Sequence, residues 1–156
     1  MNETLKQANL SLMASQDIAY LSSLDQDGFP QIRAMMNLRS QNLFPQLTSM
    51  HEGHQDDFVT FLTTNMPSSK IKDLERNSKT SLYFCDTQGF HGLMLAGHVE
   101  IVLDKSVMDA FWQDDWIRYY PDGKDGKEYG ILKMTPVFAK GWHQMAPFHH
   151  EFKAKS

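Results

Sequence analysis

The chain has 156 residues, of which 41% are hydrophobic and 12% aromatic, a composition typical of one globular domain with a single core. Its 15 basic and 19 acidic residues give a net charge of −4, which argues against a nucleic-acid-binding protein because such proteins need a basic surface. No apolar run approaches the roughly 20 residues of a membrane span, and the single cysteine, Cys85, excludes an internal disulfide and any multi-cysteine metal site.

The beginning of the chain gives an expectation about location. Residues 1–16 contain an early acidic residue and no continuous apolar core, so they do not resemble a secretory signal. We therefore expect a cytoplasmic protein with neither a nucleic-acid nor a membrane partner. We expect one domain over residues 1–156, with its core at about residues 15–142 and a C-terminal tail at 143–156.

The first elements are predicted to be a helix and a hairpin. Residues 3–14 place apolar side chains at roughly helical spacing. Asp17–Leu24 reads as a strand, residues 25–28 as a turn and Phe29–Leu38 as the returning strand. Alternation along the second strand puts Ile32 and Ala34 on the apolar face and Arg33 on the other face.

The middle of the chain alternates strands with irregular segments. The polar stretch Arg39–Asp57 is predicted to be a loop, followed by strands at Phe58–Thr64 and Lys79–Cys85. A long alternating strand is expected at Leu93–Leu103. A short helix is expected to begin at Ser68, between the two preceding strands.

The last third combines an aromatic helix, a loop and a strand. Five apolar side chains recur at three- and four-residue steps and indicate a helix that buries an aromatic stripe: Met108, Phe111, Trp112, Trp116 and Tyr119. Residues 121–130 read as a surface loop and Ile131–Trp142 as the final strand. Six or seven hairpin-linked strands with three short helices favour a mainly β or α+β fold, an antiparallel barrel with helices at its edges.

The junction before the short helix has the chemistry of a phosphate site. The first backbone N–H groups of a helix lack partners and carry partial positive charge, so an anion docks there readily. Ser68 and Ser69 offer hydroxyls and Lys70 adds a full charge. The alternative is an ordinary capped helix beside a surface lysine, which this segment alone does not exclude.

Five segments together resemble the FMN-binding split barrels related to pyridoxamine 5'-phosphate oxidase, and more closely their general stress protein branch. They are IRAMMN, FLTTNMPSSKIKDLERNSKTSLYF, LAGHVEIVLD, WIRYYPDGKDG and LKMTPVFAKGW, in that order along the chain. The resemblance implies an antiparallel split β-barrel with short flanking helices. It also implies FMN held between two subunits of a homodimer, because one barrel of this kind is too small to enclose the flavin.

The resemblance also assigns cofactor-binding residues. Arg33 falls on the position that meets the phosphate or the ribityl chain, and Ala34 and Met35 on positions whose backbone passes beneath the ring. Ser69 and Lys70 fall on the phosphate ligands. Three more positions fall near the ring: Thr63 and Thr64 at its pyrimidine side, and Trp142 at an aromatic contact at the end of the last strand. The alternative for this tryptophan is a half-buried barrel plug.

Departures from the family pattern limit the expected activity. Ser69 stands where pyridoxamine 5'-phosphate oxidases place a second cation, and Phe148 and Phe152 stand where they hold the substrate phosphate with arginines. Only His150 remains to stand in for a substrate-gripping group, so oxidation of pyridoxamine 5'-phosphate is not expected.

The expected function is a flavin-dependent oxidoreductase that acts on a small molecule, with NADH or NADPH as a possible electron donor. The flavin carries the redox chemistry, so no catalytic residue of the protein is assigned. The alternatives are a non-enzymatic flavin-binding or redox-sensing stress protein, and the binding of FAD, haem or a deazaflavin instead of FMN. No metal site is expected, because the histidines match no metal motif and are interpreted as solvated: His51, His54, His143, His149 and His150.

Overall fold

The computed structural model describes residues 1–54 and 58–153, in which a seven-stranded antiparallel sheet is flanked by short helices. The helices are α1 (Glu3–Ser15), α2 (Ser69–Arg76) and α3 (Lys105–Phe111), with 3₁₀ helices at Pro45–His54 and Asp114–Arg118. The strands are β1 (Ile18–Leu24), β2 (Pro30–Met36), β3 (Thr60–Asn65), β4 (Lys79–Asp86), β5 (His91–Ile101), β6 (Tyr129–His143) and β7 (Ala146–Glu151). The predicted α+β class is confirmed, and the architecture agrees with a split barrel. No helix among these residues is both long and apolar enough to cross a membrane.

The sheet has the strand order β2-β1-β4-β5-β6-β3, and β7 pairs with β6 as well. Its two ends, β2 and β3, meet at a single isolated bridge between Asn37 and Leu62. The Asn37 side chain secures this point, because its amide nitrogen donates to the backbone oxygens of Met13 and Gln16 at 2.6 Å each. The sheet therefore curls into an open barrel whose ends touch at one point.

Two hydrophobic cores fill the molecule. One lies between the sheet, α1 and α2, and includes Leu21, Leu82 and Leu95. The other is formed by the aromatic side chains of α3 and the second 3₁₀ helix packed on β3 and β6. The largest fully buried side chain there is Trp116, whose ring meets Phe44 edge-on with centroids 5.7 Å apart.

The apolar side chains that alternate along β2 lie on the outer face of the sheet, so the predicted orientation of the strand is reversed. Arg33 pairs with the fully buried Leu21, so it lies on the core-facing side of the strand, whereas Ile32 points outward and is exposed. Cross-strand pairing places Ala34, Tyr20 and Tyr83 in one outward row. This part of the outer face is thus rich in exposed apolar side chains.

Two segments differ from their predicted form. The predicted aromatic helix is divided, because α3 ends at Phe111 and the chain resumes as a 3₁₀ helix, which has about three residues per turn instead of 3.6. The change of period buries Tyr120 and leaves Tyr119 exposed. The segment after Trp142 makes a tight turn and forms β7. Phe148 in β7 and Phe152 just after it both pack against the first core.

Candidate functional site

The junction between β3 and α2 forms as the sequence predicts. Its turn is closed by the backbone N–H of Ser68, which donates to the oxygen of Asn65 at 3.2 Å. Ser68 occupies the N-cap position with an extended backbone, but its side chain makes no capping hydrogen bond. Its Oγ instead accepts a hydrogen bond from Nζ of Lys70 at 2.8 Å. The start of α2 therefore combines an uncapped helix terminus with hydroxyls and an ammonium group.

Arg33 reaches this region from β2. Its guanidinium is half-buried, and Nη1 donates to Oγ of Ser23 at 2.8 Å. It is also close enough to Lys70 for the two positive charges to repel each other: burial first, and then Arg33, lowers the pKa of Lys70 below its ordinary value. Neither cation forms an ion pair with any carboxylate of the described residues. A pair of adjacent cations without a counter-ion is a suitable place for an anion.

A cleft of about 380 Å³ opens beside these groups. Its cationic and hydroxyl lining comprises Arg33, Ser69, Lys72 and Arg76. The last two were not identified from the sequence, although Ser69, Lys72 and Arg76 follow the i, i+3, i+7 spacing that places side chains on one helix face. This helical spacing is the sequence signal that could have identified Lys72 and Arg76.

Two of the three carboxylates that line this cleft, those of Asp25 and Asp73, are bonded to other groups. Asp25 accepts the backbone N–H groups of Asp27 and Phe29 at 2.9 Å each and the amide of Gln31 at 2.8 Å. These bonds, the one from Phe29 above all, hold the pKa of Asp25 below its usual range. Asp73 lies 3.4 Å from its helix neighbour Arg76. The acids therefore brace the turn and the helix.

The two threonines at the end of β3 differ in what their hydroxyls contact. Oγ1 of Thr63 shares a 2.8 Å hydrogen bond with the hydroxyl of the buried Tyr120. Oγ1 of Thr64 is equally buried and has no hydrogen-bond partner among the described residues. Because an unsatisfied buried hydroxyl costs free energy, Thr64 is the better candidate for contact with a ligand.

The remaining predicted residues lie at different distances from the cleft. Ala34 and Met35 adjoin Arg33 on β2, whose second edge carries no strand beyond the isolated bridge, so backbone groups there remain available. Trp142 lies at the far end of β6, four strands from β2 along the sheet order, and is 42% exposed. One protomer thus brings Arg33, Ser69 and Lys70 together but leaves Trp142 apart.

The interpretation of His51 as a solvated side chain is wrong. The first 3₁₀ helix turns it inward, where it is only 4% exposed, with its ring 5.9 Å from those of Phe61 and Phe111. Burial, reinforced by Arg39, lowers the pKa of His51 to about 4, so its ring is neutral at pH 7. Its Nδ1 lies 3.2 Å from the Leu47 oxygen.

The other histidines of the predicted cluster occupy separate places. His149 lies on β7 with Nε2 2.6 Å from a carboxylate oxygen of Glu151, and His150 contacts the chain's amino group at 2.7 Å. His143 stacks obliquely beside His91 with ring centroids 4.3 Å apart. Among residues 1–54 and 58–153, no group of three or more histidine, cysteine or acidic side chains is placed to hold a metal ion.

Comparison with known proteins places this geometry in context. Residues 5–143 match the sequence family described as pyridoxamine 5'-phosphate oxidase. No curated protein matches the chain. The chain is similar to a solved Clostridium acetobutylicum protein related to general stress protein 26 of Bacillus subtilis, of the pyridoxinephosphate oxidase family. The two are 27% identical over 97% of this chain and 96% of that one, with a TM-score of 0.79.

Two more distant structures share the fold. General stress protein 26 from Bacillus anthracis is 21% identical, with 95% of this chain and 98% of that chain covered and a TM-score of 0.71. A haem-binding protein from Mycobacterium smegmatis is 11% identical, with coverages of 97% and 59% and a TM-score of 0.66. The fold therefore occurs both in a protein named as a general stress protein and in one named for haem binding.

Proposed function

The chain belongs to the pyridoxamine 5'-phosphate oxidase family, and on this basis we propose that it binds FMN and acts as a flavin-dependent oxidoreductase on a small molecule. The main support is the pair of cations at the start of α2. Arg33 lies close enough to Lys70 to lower the pKa of that ammonium, and neither side chain has a carboxylate partner in the described part of the chain. The terminal phosphate of FMN supplies the missing negative charge.

Each predicted site residue at or near the cleft has a role in this proposal. Arg33 and Lys70 bind the phosphate, with the Ser69 hydroxyl at the helix terminus as a further donor. The buried Thr64 hydroxyl gains a partner from the polar edge of the ring, while Thr63, held by Tyr120, fixes the end of β3. Backbone groups of Ala34 and Met35 remain available along the free edge of β2. When bound, FMN supplies hydride or electron transfer, for which no protein nucleophile is needed.

We propose further that the protein is a homodimer with the flavin at the subunit interface. Trp142 lies too far along the sheet to meet the cleft of its own protomer, so it would contribute to the site of a second copy. The outer face of the sheet supplies a suitable interface. Its exposed apolar side chains include Tyr20, Ile32, Tyr83 and Trp142, and contiguous apolar surface of this kind marks interaction sites.

Titration of the FMN-free protein with FMN tests the site. Lys70→Ala and Arg33→Ala should each weaken binding about ten- to a hundredfold, or roughly 1.5–3 kcal/mol, because each removes a charge-assisted contact to phosphate. Lys127→Ala, in an exposed loop, is the matched control and should bind as the parent does. Unchanged affinity in both test variants would overturn the assignment.

Sedimentation at micromolar concentration tests the assembly. A dimer is expected, because a single cleft of about 380 Å³ has too little concave surface for a whole flavin. A monomer that binds FMN with undiminished affinity would contradict the two-subunit site.

The second candidate function is flavin binding without a dedicated substrate, in a storage or redox-sensing role. It is favoured by the lining of the cleft, whose described side chains include no histidine, the most frequent proton relay in enzymes, and no cysteine or tyrosine. The same absence leaves no axial ligand for haem iron there. The visible spectrum of the loaded protein separates flavin from haem. Reduction by NADH or NADPH followed by rapid reoxidation by a substrate would separate the enzyme from the binder.

A further inference from the structure

A cavity of about 580 Å³ lies between α1 and the segment 39–51 that follows β2. It shares no described lining residue with the cationic cleft, and none of the side chains assigned above to the subunit interface lines it. Its volume falls within the roughly 300–1,000 Å³ of small-molecule sites. We call it the α1 cavity.

One wall of the α1 cavity is a single face of the helix. The lining residues recur at the three- and four-residue steps of one helix side: Gln7, Leu10, Ser11, Ala14 and Ser15. A neighbouring face, which includes Leu12 and Met13, is buried in the first core. The core therefore holds the helix in place by other side chains, and the wall remains open to a ligand.

The opposite wall is fixed by hydrogen bonds. The backbone N–H of Gln41 donates to the Ala14 oxygen at 2.9 Å and so joins the segment to α1. Oγ of the buried Ser40 donates to Asp17 at 2.7 Å, and the Asn42 amide donates to the same carboxylate at 3.0 and 3.2 Å. The cavity is thus formed before any ligand enters, which lowers the entropic cost of binding.

His51 borders the α1 cavity and leaves one ring nitrogen without a partner. Its Nδ1 faces the Leu47 oxygen at 3.2 Å, and because a carbonyl only accepts, Nδ1 carries the proton of the neutral ring. Nε2 is then an acceptor, and it is buried with no hydrogen bond to any described residue. An O–H or N–H group of a ligand would satisfy it.

Two more polar side chains, one from each wall, are available to a ligand. The Ser11 hydroxyl and the Gln41 amide are exposed and form no hydrogen bond within the described part of the chain. Each can both donate and accept. Leu10 and Ala14 lie beside them and offer contact to C–H groups. This mixture suits a compact molecule with hydroxyls on a carbon ring.

Arg39 restricts the charge of the ligand. It is the only lining residue with a full charge at neutral pH among those that the structure describes. Its Nε and Nη2 donate to the backbone oxygens of Val59 and His54, so these groups hold the main chain. Its positive charge still opposes a cation in the cavity.

We propose that the α1 cavity binds a small polyhydroxylated molecule without positive charge, such as a sugar in its ring form. One hydroxyl of the ligand donates to Nε2 of His51, and others exchange hydrogen bonds with Ser11 and Gln41. An apolar molecule would leave Nε2 unsatisfied, whereas a cation would be repelled by Arg39. This binding goes beyond the proposed flavin function and does not depend on it.

Calorimetric titration with D-glucose, at about pH 7.5 where the His51 ring is neutral, tests the proposal. Saturable binding with a Kd of about 1 mM or below is expected. Two matched probes should bind at least about tenfold more weakly: cyclohexanol, which has one hydroxyl, and 6-amino-6-deoxy-D-glucose, which is positive. No saturable binding of D-glucose, or equal affinity for either matched probe, would overturn the proposal.

The imidazole nitrogen signals in the NMR spectrum locate the ligand. Addition of D-glucose should shift the Nε2 signal of His51, because its lone pair gains a hydrogen bond, while the nitrogens of the exposed His98 should not respond. An Nε2 signal that does not move at saturating sugar excludes the α1 cavity as the site.

Variants test the same contacts by affinity. His51→Leu and Gln41→Ala should each weaken D-glucose binding about tenfold, because each removes one hydrogen-bonding group. Ser49→Ala removes an exposed hydroxyl outside the lining and should bind as the parent does. Gln41 is exposed, so its substitution remains informative if His51→Leu disturbs the fold. Unchanged affinity in both test variants would contradict the proposal.

Two further measurements separate the other possible occupants. FMN should not displace D-glucose, and competitive displacement would show that the cavity belongs to the flavin site. If D-glucose binds only after dilution to monomer, as followed by sedimentation, the cavity is a contact for a second copy and the proposal fails. The sugar titrations are made on FMN-free and on FMN-treated protein, so a failure of FMN to bind is recognised separately.

Discussion

The cationic cleft differs in almost every physical respect from the aromatic pocket, which Tyr83, Phe90 and Trp142 form at the ends of β4, β5 and β6. The cleft lies on the core side of the sheet, where Arg33 and Lys70 approach each other at a helix terminus. The pocket lies on the outer side at the opposite end of β6, where rings surround one carboxylate. The cleft suits a phosphate and the pocket suits a ring. If the protein binds FMN as proposed, this separation means that a complete flavin site would need two protomers.

The difference also bears on the prediction that the protein lacks the activity of the oxidase that gives its family a name. A phosphorylated substrate needs a second phosphate clamp besides the one that holds the cofactor. Phe148 and Phe152, which the family resemblance aligns with the arginines of that clamp, serve the fold instead. Phe148 packs against the first core, and the Phe152 ring contacts Phe58 with centroids 5.4 Å apart.

The largest expected effect concerns that second clamp. FMN-loaded protein under air should form pyridoxal 5'-phosphate from pyridoxamine 5'-phosphate roughly a thousandfold more slowly than an enzyme with the arginines, a barrier difference of about 4 kcal/mol. Reoxidation of photoreduced flavin by oxygen is the control for an intact cofactor. Efficient saturable turnover would show that one of the two regions binds a second phosphate, and the contrast between them would no longer hold.

An effect of intermediate size concerns the stability of the fold and involves neither of the two regions. The pKa of His51 is about 4 in the folded chain against an ordinary 6.5, so between these values the unfolded chain takes up a proton that the folded chain excludes. Stability should therefore fall as the pH falls from about 6.5 to 4, by about 3 kcal/mol in total.

Urea unfolding at a series of pH values measures this loss. His51→Leu should flatten the profile in that window, because it removes the proton acceptor, while His98→Ala on the surface should not. If the slope persists in His51→Leu, another group is responsible. Ligand titrations at either region should be made above pH 7, where the His51 ring is neutral and this effect on stability is absent.

The smallest expected effect is a gain of affinity at the cleft. Ser69→Arg adds a second cation beside Lys70, at an exposed position, and should tighten FMN binding about tenfold. Asp86→Asn, in the aromatic pocket, should leave FMN affinity unchanged. A reversal of these two results would mean that the phosphate and ring ends have been assigned to the wrong regions.

The sequence predicted the elements well where local rules determine them. The strands of the first hairpin, the start of α2 and the long β5 agree closely with their predicted positions, because turn residues and alternation act locally. The phosphate-site residues Arg33, Ser69 and Lys70 are brought together by the fold. Whether they bind FMN stays a prediction.

The errors arise where alternation or polarity is ambiguous. Ile32 and Ala34 are apolar because the outer face is apolar, and alternation alone cannot distinguish a core from an open apolar surface. His51 lies in a polar segment, yet the turn of the 3₁₀ helix directs it between Phe61 and Phe111. Burial of that kind depends on contacts with residues distant in sequence.

The single bridge between Asn37 and Leu62 gives the barrel a seam, and the cationic cleft lies across it. Arg33 belongs to the strand on one side, whereas Thr64 lies in the strand on the other and Lys70 follows that strand. An anion bound by both sides would hold β2 and β3 together, so that dissociation of the ligand and local opening of the barrel become one kinetic process. Amide exchange in β2 and β3 should then slow in step with occupancy, and ligand at a hundred times its Kd should raise stability by about 2.7 kcal/mol.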